Sequence, residues 1–188
     1  DNTAFAKTVN ADSFGAGAAA SDGTVRIGDT IDFALTLSLN NGTTNNVVVT
    51  DSLPTGMEFV ETVSINGDTS SPYVGSAPFT FSTTTVPSVG QTSLTWNLGT
   101  VVNDGTANAT ATDDLVIIYR VRIADGVLAS AASTNLQNNA ALNYNTATGA
   151  AAPLTSNQTA IVQQPILAFT KSTTATSPVV AGQTITYT

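Results

Sequence analysis

The chain has 188 residues, of which 41% are hydrophobic and only 10% charged, with a net charge of −8. Five basic residues are too few to form a phosphate-binding or anionic-membrane surface. The absence of His and Cys removes disulfides, the usual zinc ligands and His-based catalytic triads.

Taken in order, Phe5, Lys7 and Val9 fall on one face of a first strand. Residues 10–24 are Gly/Ala-rich and read as a loop, with a poorly capped short helix over Ala16 to Ala20 as an option. From Val25 to Leu39 the alternation of Ile31, Phe33, Leu35, Leu37 and Leu39 predicts a strand, and Asn40-Asn41-Gly42 predicts a hairpin-type turn. Val47 to Val60 reads as strand, turn, strand. Val47, Val49 and Asp51 share a face, Leu53-Pro54-Thr55-Gly56 breaks the strand, and Met57, Phe59 and Val60 resume it. A loop over Ser64 to Ser76 holds Asn66-Gly67-Asp68. Short strands follow at Phe79 and Phe81 and at Leu94, Trp96 and Leu98, then a polar loop from Asn103 to Asp114. Leu115 to Ile123 is a β-branched strand. Residues Leu136, Asn138, Ala140, Leu142 and Tyr144 alternate on one face of another, Ala147 to Pro153 reads as a turn, and Thr159 to Val162 closes the unit. The Ala-rich stretches Ala124 to Ala132 and Ala147 to Ala152 leave short helix open.

About nine short strands separated by turn signals, without a convincing amphipathic helix, predict an all-β sandwich over residues 1–162. A repeat then begins. Phe5-Ala6-Lys7-Thr8 recurs as Phe169-Thr170-Lys171-Ser172, and Ile27-Gly28-Asp29-Thr30-Ile31-Asp32-Phe33 as Ala181-Gly182-Gln183-Thr184-Ile185-Thr186-Tyr187. The offsets, 164 (169 − 5) and 154 (181 − 27), differ by ten, which fits an insertion over Phe14 to Gly23 of the first copy. The expected organisation is a sandwich over 1–162, a linker over 163–166, and over 167–188 the first strands of a following repeat or a segment that pairs with another subunit. Serial β domains give reach rather than chemistry. The expected partners are copies of the chain or adjacent repeats, head to tail. No apolar run is long enough to span a bilayer as a helix.

Three polar residues, Lys7, Asp51 and Asn138, each land on the apolar face of a predicted strand. Burial favours the neutral forms of both amine and carboxyl. A neutral Lys7 is a nucleophile, a protonated Asp51 can polarise the Asn138 carbonyl, and loss of ammonia leaves an uncharged amide. Two other readings stand beside this one: a Lys7–Asp51 ion pair with Asn138 hydrogen-bonded nearby, and a Lys7 whose amine reaches out to solvent at the strand end.

The stretch VVVTDSLPTGMEFV, preceded by Gly-Asp-Thr-Ile-Asp-Phe and followed by Asn-Asn-Ala-Ala-Leu-Asn-Tyr, resembles the prokaryotic cell-surface repeat domains grouped as the eleventh domain of unknown function. It is similar also to the related fimbrial isopeptide-forming domains. The resemblance covers Asp1 to about Val162 and restarts at Leu167. It implies an immunoglobulin-like sandwich in an extracellular surface or filament protein with structural or adhesive roles. Carried over by motif, it implies a Lys–Asn amide between Lys7 and Asn138, assisted by Asp51. The pilin assembly motif is missing. Leu53-Pro54-Thr55-Gly56 is one residue short of a sorting motif and reads as a turn, so the resemblance does not carry over polymerisation by a sortase.

Other signals are weaker. Asp104, Asp113 and Asp114 flank one loop and Asp12, Asp22 and Asp29 another. Such acids can hold calcium, although no spacing matches a defined calcium loop and no cofactor is otherwise called for. Glycosylation patterns begin at Asn41, Asn108 and Asn157, as chance allows in a chain rich in Asn and Thr. Without a nucleophile–base pair or a metal cluster, no enzyme is expected beyond a single-turnover crosslink. Two functional classes follow: a structural or adhesive surface module, and a carbohydrate- or protein-binding accessory module of a secreted enzyme. An exposed aromatic platform, for which Trp96 and Phe81 are the candidates, would favour the second.

Overall fold

A computed structural model of the chain describes residues 3–13, 21–106, 112–125, 133–163, 170–172 and 178–186. Among these, eleven strands form: β1 (Ala4–Asp12), β2 (Thr24–Val25), β3 (Thr30–Asn40), β4 (Gly42–Ser52), β5 (Met57–Ile65), β6 (Phe79–Phe81), β7 (Ser93–Asn103), β8 (Thr112–Ile123), β9 (Ser133–Thr146), β10 (Gly149–Ala150) and β11 (Leu154–Gln163). They build two sheets. One has the order β1-β3-β8-β5 and the other β2-β11-β9-β4-β7-β6, with β10 added beside β9. The result is the all-β sandwich that the alternation predicts, with the immunoglobulin-like architecture that the resemblance implies.

Period-two patterning places the core. The inward sides of β3 (Ile31, Phe33, Leu35, Leu37, Leu39) and β8 (Leu115, Ile117, Tyr119, Val121, Ile123) are fully buried. They meet Val47 and Val49 of β4 and Leu94, Trp96 and Leu98 of β7 from the opposite sheet in one apolar cluster. Each aliphatic side chain removed from water this way stabilises the sandwich by about 1.5–3 kcal/mol. Thr, Ser and Asn occupy many of the alternating outward positions, which is why the surface needs so few charges.

The structure differs from the sequence reading in several places. Asn40-Asn41-Gly42 does not close a hairpin: β3 pairs with β1 and β8, while β4 pairs with β9 and β7. The chain crosses from one sheet to the other there, because the apolar faces of both strands gain more by facing each other across the sandwich than by lying side by side. Val25 to Leu39 is broken after β2, where Asp29 accepts the Arg26 amide at 2.9 Å. Strand β5 runs on to Ile65 before Asn66 and Gly67, both at positive φ (50° and 79°), turn the chain back with paired Ile65–Asp68 backbone bonds. Strand β8 begins at Thr112, inside the expected loop, and β11 begins at Leu154, well before Thr159. Ala147 to Ala152 is a turn with the short β10 and not a helix. The helical option at Ala16 to Ala20 lies outside the described residues, as does most of Ala124 to Ala132. Residues 170–172 and 178–186 carry no strand.

Candidate functional site

Strand β1 lies at the edge of the four-stranded sheet, in register with β3 so that Lys7 stands opposite Leu35. Alternation turns the Lys7 side chain inward, between the sheets. Asp51 lies near the end of β4, flanked by Ala140 of β9 and Leu94 of β7. Asn138 sits two residues before Ala140, so it is the diagonal neighbour of Asp51 on the same inward face. All three are buried: residue exposure is 4% for Lys7, 1% for Asp51 and 0% for Asn138.

The Lys7 Nζ donates to Asp51 Oδ2. Asp51 Oδ2 also accepts from the Tyr119 hydroxyl at 2.8 Å, and the same hydroxyl accepts from Asn138 Nδ2 at 2.8 Å. Two acceptors stay without a donor, Asp51 Oδ1 and Asn138 Oδ1. Aromatic rings wall the cluster. Lys7 Nζ lies 4.8 Å from the Phe33 ring centroid and 5.6 Å from that of Tyr119. Tyr119 packs on Trp96 with centroids 5.0 Å apart and on Phe33 at 5.7 Å.

Burial dominates the electrostatics. It lowers the Lys7 ammonium to about 8, against the opposing attraction of Asp51. It raises the Asp51 carboxyl above its usual range, against Lys7 and the hydroxyl and amide around it. It raises the Tyr119 hydroxyl well above its own range, with the Asp51 charge adding to the effect. Both partners of the ion pair are therefore pushed toward their neutral forms. In that state the amine has a free lone pair. A proton on Asp51 also turns a donorless acceptor into a donor, which is what an unsatisfied Asn138 carbonyl needs.

Lys7, Asp51 and Asn138, named from the sequence, thus come together, and Lys7 does not reach solvent. Tyr119 escaped the sequence reading. Its signal was a phenol on the inward side of an otherwise aliphatic strand, where a buried hydroxyl requires a partner. The loop acids do not assemble: no group of three or more potential metal ligands occurs among the described residues. Several instead bind their own loops, Asp104 accepting the Thr106 amide at 2.9 Å and Asp22 the Thr24 amide at 2.7 Å. Trp96 is fully buried and donates to Thr62 Oγ1 at 3.0 Å. No aromatic is exposed among the described residues. A groove of about 340 Å³ lined by Thr3, Asn40, Thr43 and Tyr144 touches none of the four clustered residues.

Among solved structures, the full-length major pilin SpaD from Corynebacterium diphtheriae superposes with a TM-score of 0.53 at 15% identity, covering 86% of this chain and 34% of that one. BcpA, the major pilin subunit of Bacillus cereus, gives 0.53 at 13%, over 87% of this chain and 40% of that one. This is the fold of a pilin domain. The N-terminal domain of the Streptococcus gordonii adhesin Sgo0707 shares it, with 0.52 at 8% identity over 85% of this chain and 32% of that one. The chain thus spans about a third to two-fifths of these pilin-type and adhesin structures, and at such identities the likeness is one of fold. No family model and no curated protein matches the sequence.

Proposed function

We propose that the chain is an extracellular structural or adhesive module of a surface or filament protein, closed by a side-chain amide between Lys7 and Asn138 that Asp51 helps to form. The observation that carries this reading is the burial of an amine, a carboxyl and a carboxamide in one cluster between the sheets, with Asp51 Oδ1 and Asn138 Oδ1 both lacking donors. As a permanent ion pair the cluster would hold charges that burial disfavours and leave an amide carbonyl unsatisfied. As a crosslink it loses the ammonium altogether. The lone pair of Lys7 Nζ attacks Asn138 Cγ while protonated Asp51 stabilises the carbonyl oxygen. The Cγ–Nδ2 bond then breaks, and the nitrogen leaves as ammonia.

The pilin-type fold supports the surface assignment, and the recurrence of Phe-x-Lys and Gly-x-Thr-Ile segments after residue 163 supports tandem or head-to-tail repetition. The accessory-module alternative wants an aromatic platform, and of its candidates Trp96 is in the core and Phe81 packs partly buried against it. Intact-mass measurement of the purified chain tests the crosslink. Loss of one ammonia is expected, with one fragment linking Lys7 to Asn138 after proteolysis, and a mass equal to the unmodified sequence overturns it.

A further inference from the structure

We propose that Tyr119 is a catalytic proton carrier in this crosslinking reaction, passing to the departing nitrogen of Asn138 the proton that Lys7 gives up. The inference rests on the Lys7–Asn138 reading above. Forming the amide requires one net proton transfer. Lys7 Nζ enters as –NH2 and ends as –NH–, and Asn138 Nδ2 enters as –NH2 and leaves as NH3. Asp51 accepts from the nucleophile, and the leaving nitrogen donates to the Tyr119 hydroxyl. The hydroxyl touches both, 2.8 Å from Asp51 Oδ2 and 2.8 Å from Asn138 Nδ2.

A single row therefore runs Lys7 Nζ, Asp51 Oδ2, Tyr119 Oη, Asn138 Nδ2. On attack the proton of Asp51 moves to the Asn138 carbonyl oxygen, which leaves Asp51 Oδ2 able to take the extra proton from Nζ. The Tyr119 hydroxyl, which donates to Asp51 and accepts from Nδ2 in the resting cluster, then turns to Nδ2. Asp51 passes the proton to Tyr119 Oη as Tyr119 Oη–H protonates Nδ2, the Cγ–Nδ2 bond breaks, and the carbonyl oxygen returns its proton to Asp51. Asp51 and Tyr119 end as they began, and no water or external acid is needed in a cluster that solvent does not reach. Packing holds the hydroxyl in line. The Tyr119 ring is fully buried among Phe33, Trp96 and Phe59. The raised affinity of its oxygen for the proton keeps it neutral between transfers.

The test follows maturation of the full chain by cell-free synthesis, acid quenching and intact mass. Wild type should lose ammonia, and Tyr119→Phe, which keeps the ring and removes only the oxygen, should do so at least about a hundredfold more slowly. Maturation in D2O should slow the wild type, since protons are in flight. If Y119F matures as fast as wild type, the relay is wrong while the crosslink stands. If the wild type never loses ammonia, both are wrong. Should Y119F fail to fold, 3-fluorotyrosine at position 119 keeps ring and hydroxyl while making the proton more acidic. A changed maturation rate then supports the relay, and an unchanged rate overturns it.

Discussion

Tyr119 and Asn138 meet hydroxyl to amide at 2.8 Å, although Tyr119 stands on β8 of the four-stranded sheet and Asn138 on β9 of the other. The pattern continues through the cluster. Lys7 and Tyr119 come from one sheet, Asp51 and Asn138 from the opposite one, and the row of contacts crosses the interface at each step. A polar chain laid across a sandwich is registered by both sheets at once. A small slip of either sheet would part the groups, so the reaction proposed for them depends on the sandwich being fully formed.

A crosslink between Lys7 and Asn138 would close a loop of 131 residues (138 − 7). In the chain-entropy account used for disulfides, closure of that length is worth about 4–5 kcal/mol. Asn138→Ala should therefore keep the unmodified mass and unfold at clearly lower denaturant. Asp51→Ala should also keep the unmodified mass and be less stable still, since it leaves the Lys7 amine buried without its partner, a loss of about 3–5 kcal/mol for a broken buried pair. Denaturant unfolding of the three proteins checks the order. Equal midpoints for wild type and Asn138→Ala would count against a closed loop.

Gly99 of β7 offers a test of packing unrelated to the crosslink. Its φ is +64°, and a Cβ there would collide with Ser82 Oγ and lie 2.8 Å from Thr83 Cγ2. Ser82 cannot easily move, because its Oγ accepts the Thr100 amide at 2.7 Å. Gly99→Ala should cost about 1–3 kcal/mol from backbone strain and overpacking together. Thermal unfolding of the pair would show it, and an unchanged midpoint would mean that the 82–83 segment yields.

Much of the fold was legible because alternation is a local signal. Ile31 to Leu39 and Leu115 to Ile123 declare their buried faces without reference to any partner. Asp51 and Asn138 were legible for the same reason, as polar residues in apolar rows. Pairing was not, since nothing local to Asn40-Asn41-Gly42 distinguishes a hairpin from a crossing between sheets. Tyr119 was hidden differently: a phenol on an inward face reads as core, and only the structure puts Asp51 and Asn138 on either side of its hydroxyl.

The sandwich should stand without the residues that follow it. Strand β11 ends at Gln163, and the described residues 178–186 beyond it are largely exposed. A chain ending after Gln163 should keep the ammonia loss and the unfolding midpoint of the full chain. A midpoint lowered by several degrees would show instead that the segment after Gln163 completes this domain rather than opening the next.

The pH dependence of stability should report on the state of Lys7. In Asn138→Ala the amine stays free, with its folded pKa lowered from 10.5 to about 8. Between those values the unfolded chain binds more protons than the folded one, so the stability of this variant should rise as pH rises from about 8 toward 10.5. Asp51 acts with the opposite sign. Its folded pKa is raised, so the folded state holds the extra proton, and stability should fall as pH rises from the ordinary carboxylate range through the raised value. In the crosslinked wild type Lys7 is an amide and does not titrate, so the Lys7 contribution to the alkaline rise should vanish while the Asp51 contribution in acid remains. Denaturant midpoints of the two proteins measured from pH 7 to pH 10.5 separate these cases. An alkaline rise as large in the wild type as in Asn138→Ala would mean that Lys7 still carries a free amine.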